Sequence, residues 1–318
     1  MKKIYITVLC LLIFQLAATV NAQNNAPSPA DTGGSLSQLS DNALLLREAF
    51  KTNSDEKLER FFDNWSKAVG SNEEEAPDKY IAEAHKVFTA FYQPLNMEAF
   101  EYDSLYQNQP YFIVQGDLWD ISVTDNILYT YHELDSFTAE YIKQYYGKKY
   151  WKNYLKMDNE QKARNFHRPS YLSHFGGGAF WPIVKVTKID SSVTFRPPVN
   201  IEGRKIVYLT DEYKALLDSF LMDNHVDLGE NNIMQPAYAI KESKKRQNFI
   251  NRKALIFYGH WGGYWQYETY PKATSIVFDK ELQRAVVQYR IVYGGGYAIM
   301  EKWNGVWTFV EARNTWVE

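Results

Sequence analysis

The chain has 318 residues, a formal net charge of −3, 16 % aromatic residues and a single cysteine, Cys10. The acidic balance excludes a generic nucleic-acid or anionic-membrane binder, and one cysteine excludes an intrachain disulfide and a thiolate zinc cage. Stability must come from a hydrophobic core, for which the length suffices as one large domain or two smaller ones.

Lys2 and Lys3 precede an apolar run from Ile4 to Val20, and Val20-Asn21-Ala22 supplies a signal-peptidase site. Residues 1–22 are therefore expected to be a cleaved signal peptide, with the chain working in the periplasm or outside the cell. Leu9 precedes Cys10 and the apolar run continues through Phe14, which argues against lipidation there. The exported chain then has no thiol, so cysteine nucleophiles are excluded. No later segment reaches the roughly 18 apolar residues of a membrane span.

Residues 23–36 are small and polar and read as a flexible leader. Helical signals begin at Asp41, with Leu44, Leu45, Leu46 and Phe50 as one stripe. Asn53, three residues before Glu56, predicts the cap of a second helix carrying Leu58, Phe61, Phe62, Trp65 and Val69. A third runs from about Ala76 to Tyr92 and stops at Pro94. The period then changes: Tyr111–Val114 and Leu118–Val123 read as strands around Gly116-Asp117. Residues 134–165 are helical again, and a Gly/Pro-rich connection, 167–182, is the preferred boundary between a mainly helical region (37–166) and an α+β region (183–318). Beyond it, Ile183–Ile189 and Lys205–Leu209 read as strands. Thr210-Asp211-Glu212 caps a helix striped by Tyr213, Leu216, Leu217, Phe220 and Leu221. Positions 223–253 are polar and poorly patterned, and Lys244-Lys245-Arg246 reads as a solvated face.

The end of the chain carries the clearest pattern. Asn304-Gly305 is the pair that a type I′ hairpin requires, which sets Lys302 opposite Trp307, Met300 opposite Phe309 and Ile299 opposite Val310. Upstream, Ala285, Val287, Tyr289, Ile291 and Tyr293 alternate onto one face, and Gly294-Gly295-Gly296 is read as the next turn. With Thr274–Phe278 before and Trp316 after, the expectation is an antiparallel meander of at least four strands.

Candidate chemistry centres on Gly259-His260-Trp261-Gly262-Gly263-Tyr264-Trp265, with Tyr267 and Tyr270 close behind. Indole and phenol rings stack on sugars or flat ligands, and imidazole and hydroxyl groups add directional hydrogen bonds. The competing reading is a strand with buried rings and a glycine bulge. A second string, His167-Arg168-Pro169 through His174, Gly176-Gly177-Gly178 and Trp181, offers two histidines seven apart. It lacks the third and fourth ligands of a zinc site, so no metal and no cofactor is expected. No nucleophile motif of the Gly-x-Ser-x-Gly or Ser-x-x-Lys type is present. Asp117, Asp120, Glu133 and Asp135 lie near strand ends and leave a glycosidase-like acid pair open.

The strings Gly259–Trp265, Ala285–Arg290 and Gly305-Val306-Trp307, with Phe61-Phe62-Asp63-Asn64-Trp65 and Phe91-Tyr92-Gln93-Pro94, resemble a group of exported Bacteroidetes-type proteins. That resemblance spans most of the chain but brings no activity with it. The terminal meander is similar to the ends of nuclear-transport-factor-2-like (SnoaL-like) domains, which implies a curved sheet with a cone-shaped pocket in enzymes and binders alike. The expected protein is α+β, with an N-terminal helical layer and a C-terminal antiparallel meander. It is expected to bind an unknown small molecule, glycan or envelope protein through His260, Trp261, Tyr264, Trp265 and Tyr267, with Trp181 and His174. A secreted glycan hydrolase and a structural envelope component are the alternatives.

Overall fold

The computed structural model describes residues 32–72, 78–166, 186–222, 237–258 and 265–317. Two units are distinguished, 1–41 and 42–318. The first contributes, among the described residues, only the opening turns of helix α1 (Thr32–Thr52). The second holds every described strand and the remaining helices.

Helix α1 starts nine residues before Asp41, so positions 32–36, read from sequence as leader, are helical. Once Leu45, Leu46 and Ala49 are buried, extending the helix costs only propagation, not nucleation. Helix α2 (Asp55–Ala68) is capped by Ser54, whose hydroxyl accepts from the Lys57 N–H at 3.2 Å. Asn53, the expected cap, instead turns the chain with φ +51°. Helix α3 (Lys79–Phe91) opens on Asp78, which accepts from the Tyr80 N–H at 2.6 Å, and buries Ile81, Ala84, Val87, Phe88 and Phe91.

The strands are β1 (Tyr111–Gln115), β2 (Asp117–Thr124), β3 (Val186–Thr194), β4 (Lys205–Leu209), the short pair β5 (Phe257–Tyr258) and β6 (Trp265–Gln266), then β7 (Lys272–Asp279), β8 (Arg284–Ile291), β9 (Gly294–Trp303) and β10 (Val306–Val317). Between β2 and β3 lie helices α4 (Tyr131–Tyr145), α5 (Lys148–Leu155) and α6 (Asn159–Phe166); α7 (Asp211–Met222) and α8 (Ala237–Ile250) come after β4. Among the described residues no helix is long and apolar enough to cross a membrane.

Among the described residues six strands form one sheet in the order β10-β9-β8-β7-β2-β3, antiparallel except for the parallel β2–β7 pair. The expected α+β class with a terminal antiparallel meander is therefore correct. Strand β2, from the mainly helical half of the sequence, lies inside that sheet, so the stretches on both sides of 167–182 share it. One face packs Ile121, Ile276, Val287, Ala298 and Met300 against α3 and the 3-10 turn Met97–Phe100. On the other face Val277, Val286, Tyr297 and Ile299 gather around Ile127. Arg284 closes this second cover. Its guanidinium donates to Glu133 at 2.7 Å, to the Ile127 carbonyl at 2.9 Å and to Glu301 at 3.1 Å, while Glu133 also completes the Thr130 capping box of α4.

The parallel pair β1–β4 carries a second core. Trp65 stacks on Tyr213 with centroids 4.4 Å apart and donates its indole N–H to the Tyr208 carbonyl at 2.9 Å. Phe50 meets Phe220 and Phe249 edge-on. Helix α8 was not legible from its polar sequence. It exists because Phe249, Ile250 and Ser243 are buried, and Arg246 donates to the Phe220 carbonyl at 2.6 Å while lying over the Phe50 ring. Within the supposedly solvated basic run only Lys244 and Lys245 are exposed or nearly so, and Arg246 is turned inward.

The last hairpin turns on Asn304 (φ +50°) and Gly305 (φ +82°), with Lys302 opposite Trp307 and Met300 opposite Phe309. Ile299 pairs with Glu311 instead of Val310, because a bulge at Val310 shifts the register by one. The turn before β9 is made by Val292 (φ +45°) and Tyr293, and Gly294-Gly295-Gly296 are strand residues.

Buried His85 and half-buried Glu83 make the fold acid-sensitive. His85 is fully buried against Phe195, neither ring nitrogen has a hydrogen-bond partner among the described residues, and burial pushes its pKa down to about 4. Stability from this neutral imidazole is complete above the unfolded value near 6.5 and is lost as pH falls toward 4, about 3 kcal/mol in all. His85→Leu should cost nothing at pH 7 and should raise the melting temperature at pH 4.5, checked by thermal unfolding across that range. Glu83 accepts from Lys302 and from the Trp307 indole N–H, each at 2.6 Å, and from Lys86 at 2.9 Å. Burial raises its pKa, but these bonds outweigh burial and bring it down to about 2. Its contribution, about 3 kcal/mol, is present above pH 4.5 and disappears toward pH 2. Glu83→Gln should lower urea-unfolding stability at pH 7 by about 2 kcal/mol and flatten the pH dependence below 4.5.

Candidate functional site: a polar cleft beside Trp119

Residues 111–124 form one extended stretch that serves both cores. Its first half pairs with β4, its second half with β3 and β7, and Gly116 marks the change. A Cβ on Gly116 would lie 1.9 Å from the Leu209 carbonyl oxygen, so only glycine lets the end of β4 approach so closely. Next to it, buried Gln115 acts as a backbone substitute. Its amide accepts from the Ala273 N–H at 2.7 Å and donates to the Ala273 and Asp117 carbonyls at 2.9 and 2.7 Å. Where the two halves diverge, a cleft of about 580 Å³ opens between β2, β3, the start of α7 and the segment from Trp265 to Lys272.

Charges of both signs line it. Asp117, Asp211, Glu212 and Glu268 face Arg196, Lys214, Lys272 and Arg290. Glu268 and Lys272 form a tight, largely buried ion pair. Burial pulls Glu268 upward, but the charge and hydrogen bond of Lys272, with Lys214 nearby, carry its pKa below the usual carboxylate range. Burial works against the Lys272 ammonium in turn, and Glu268 and Asp117 overcome it to raise its pKa. Glu212 is held down by the Thr210 hydroxyl, its own backbone N–H and the charge of Arg196.

Aromatic walls complete the cleft. Trp265 is 8 % exposed and its indole N–H has no hydrogen-bond partner among the described residues. Tyr267 is buried and donates to Asp218 at 2.5 Å; Tyr270 is buried and donates to Gln266 at 2.6 Å. Trp265 and Tyr267, expected to lie open, are thus packed into the wall. His260, Trp261 and Tyr264, like His174 and Trp181, lie outside the described residues. Sequence reasoning missed a ring of the cleft that does stand open. Trp119, in the interior strand β2, is 60 % exposed, and among the described residues neither a ring nor a hydrogen bond holds it.

The backbone explains why Trp119 turns outward. In the β2–β3 ladder, Leu118 pairs with Val193 and Asp120 with Ser191, passing over Trp119 and Ser192, and Ser192 has φ +55°. In β7, Thr274 is an extra residue between Ala273, opposite Tyr289, and Ser275, opposite Gln288. Adjacent strands are therefore irregular at one level, as happens where a sheet re-aims side chains for use. Simple alternation would have put Trp119 with Ile121 in the core. The only sequence hint was its place between Asp117 and Asp120.

The acids considered for a catalytic pair do not converge. Glu133 serves Arg284, Asp135 accepts from Tyr154 at 2.7 Å and pairs with Lys162 at 3.1 Å, and Asp120 accepts from Ser122 at 2.5 Å. Only Asp117 of the four borders the large cleft. Among the described residues no three His, Cys, Asp or Glu side chains are placed to hold a metal ion.

Gly116→Ala should destabilise the protein by several kcal/mol, on the order of the strain and overpacking costs known for such sites, because backbone rather than a flexible side chain must move. Thermal unfolding of the variant beside Gly70→Ala, whose added Cβ meets nothing within 4 Å, checks this. No family model matches the chain, and neither a curated protein nor a solved structure matches it.

Proposed function

We propose that this is an exported recognition protein whose ligand is a polar molecule seated in the cleft beside Trp119. The carrying observation is Trp119 itself. An indole left 60 % exposed on a strand of the sheet forgoes burial that nearby core positions obtain, and a sugar ring or similar flat ligand would restore it. The cleft's size suits such a ligand, and its mixed charges supply directional contacts. Export rests on residues 1–22.

Binding is favoured over glycan hydrolysis by the state of the acids. A general acid needs a raised pKa, and the displaced carboxylates of the cleft, Glu212 and Glu268, are displaced downward.

Trp119→Ala separates these readings. On a panel of soluble neutral glycans, acidic glycans and short peptides, the wild type should bind at least one class. The variant should keep its melting temperature and lose about tenfold or more in affinity by calorimetry. Equal affinities on every probe, or release of cleavage products, would defeat the proposal.

A further inference from the structure

Beyond the large cleft, Trp119 borders two more cavities, of about 430 and 290 Å³, on the open part of the same sheet face. Three cavities thus meet at one exposed indole, and they run across β2, β7 and β8 toward Tyr297 of β9. We infer that they form a continuous groove for a linear, uncharged oligosaccharide of three or more residues, with one ring stacked on Trp119. The inference rests on the recognition role proposed above and adds the ligand's class and shape.

Four observations select this occupant. The cleft balances four acids against four bases, and the 430 Å³ cavity balances Asp120 against Lys188, so no net field favours an anion or a cation. Beyond the cleft, Ser122, Thr274, Ser275, Gln288 and Thr315 add hydroxyl and amide groups beside the apolar surface of Trp119, Val186 and Tyr297. Ser275 donates to the Gln288 side-chain oxygen at 2.8 Å and Thr274 to the Gln288 carbonyl at 3.2 Å, which leaves hydroxyl lone pairs as acceptors. Among the described residues the Gln288 amide N–H groups keep no partner and stand as donors. Sugar hydroxyls, each donor and acceptor at once, match such a mixed lining. An extended peptide is a poorer fit, because strand addition needs a free sheet edge and β2 is paired on both sides. The backbone irregularities at Ser192, Trp119 and Thr274 all border this groove, and together they hold the indole at the point where the cavities join.

Neutral gluco-, xylo- and N-acetylglucosamine oligosaccharides of one to six residues, titrated into the full exported chain by calorimetry, test the groove. Affinity for one series should rise about tenfold or more from the disaccharide to the hexasaccharide. Gln288→Ala should weaken the hexasaccharide several-fold and leave the disaccharide unchanged, whereas Trp119→Ala should weaken both. Affinity independent of length, binding by none of these series, or preference for polygalacturonate over every neutral chain would overturn the groove. If a peptide or acidic glycan binds in a Trp119-dependent way, the recognition role stands and only the neutral oligosaccharide falls.

Discussion

The close approach of the Leu209 carbonyl to Gly116 is the constraint on which the rest of the molecule depends. It lets one extended stretch, 111–124, belong to two cores that would otherwise compete for it. Before Gly116 the stretch is buried among helices with β4; after it, β2 runs inside the six-stranded sheet. Gln115 secures the change by spanning to Ala273 as a strand neighbour would, and Thr269 does the same for Ile113, with bonds of 2.7 and 2.9 Å. The divergence of the two halves leaves space between them, and that space is the cleft.

The sheet has unequal covers. Helix α3 seals one face, locked by Glu83 to Lys302 and Trp307. On the other face Arg284 ties Ile127 and α4 to one end through a fork of three acceptors. Among the described residues nothing comparable covers the end carrying Gln288 and Trp119, where hydroxyl and amide groups replace Val286 and Ile299. The strong charge-assisted bonds therefore hold the covered regions, and the open region carries hydroxyl and amide groups whose hydrogen bonds water can satisfy. The Glu268–Lys272 pair is the exception, a charged couple kept ionised inside the cleft by mutual attraction.

Much of the fold was written locally. Stripes of Leu, Phe and Trp at helical spacing defined α2, α3 and α7, and Asn304-Gly305 fixed the last hairpin, since both turn residues need positive φ. Local rules failed where a long-range partner decided the outcome. Helix α8 was illegible because its stabilisation comes from Phe50 and Phe220, far away in sequence. The register slipped at Val310 because a bulge, which has no composition of its own, inserted one residue.

The sequence alone determined the α+β class, the meander and the absence of an intrachain disulfide, because periodicity, turn residues and cysteine count can be read directly from the chain. Tertiary structure alone decided that β2 enters the sheet beside β7, that Trp265 and Tyr267 are wall rather than surface, and that Trp119 is surface rather than core. The physical reason is the same in each case. Which face of a strand is buried depends on what packs against it and on irregularities in neighbouring strands, and neither is encoded at the residue concerned.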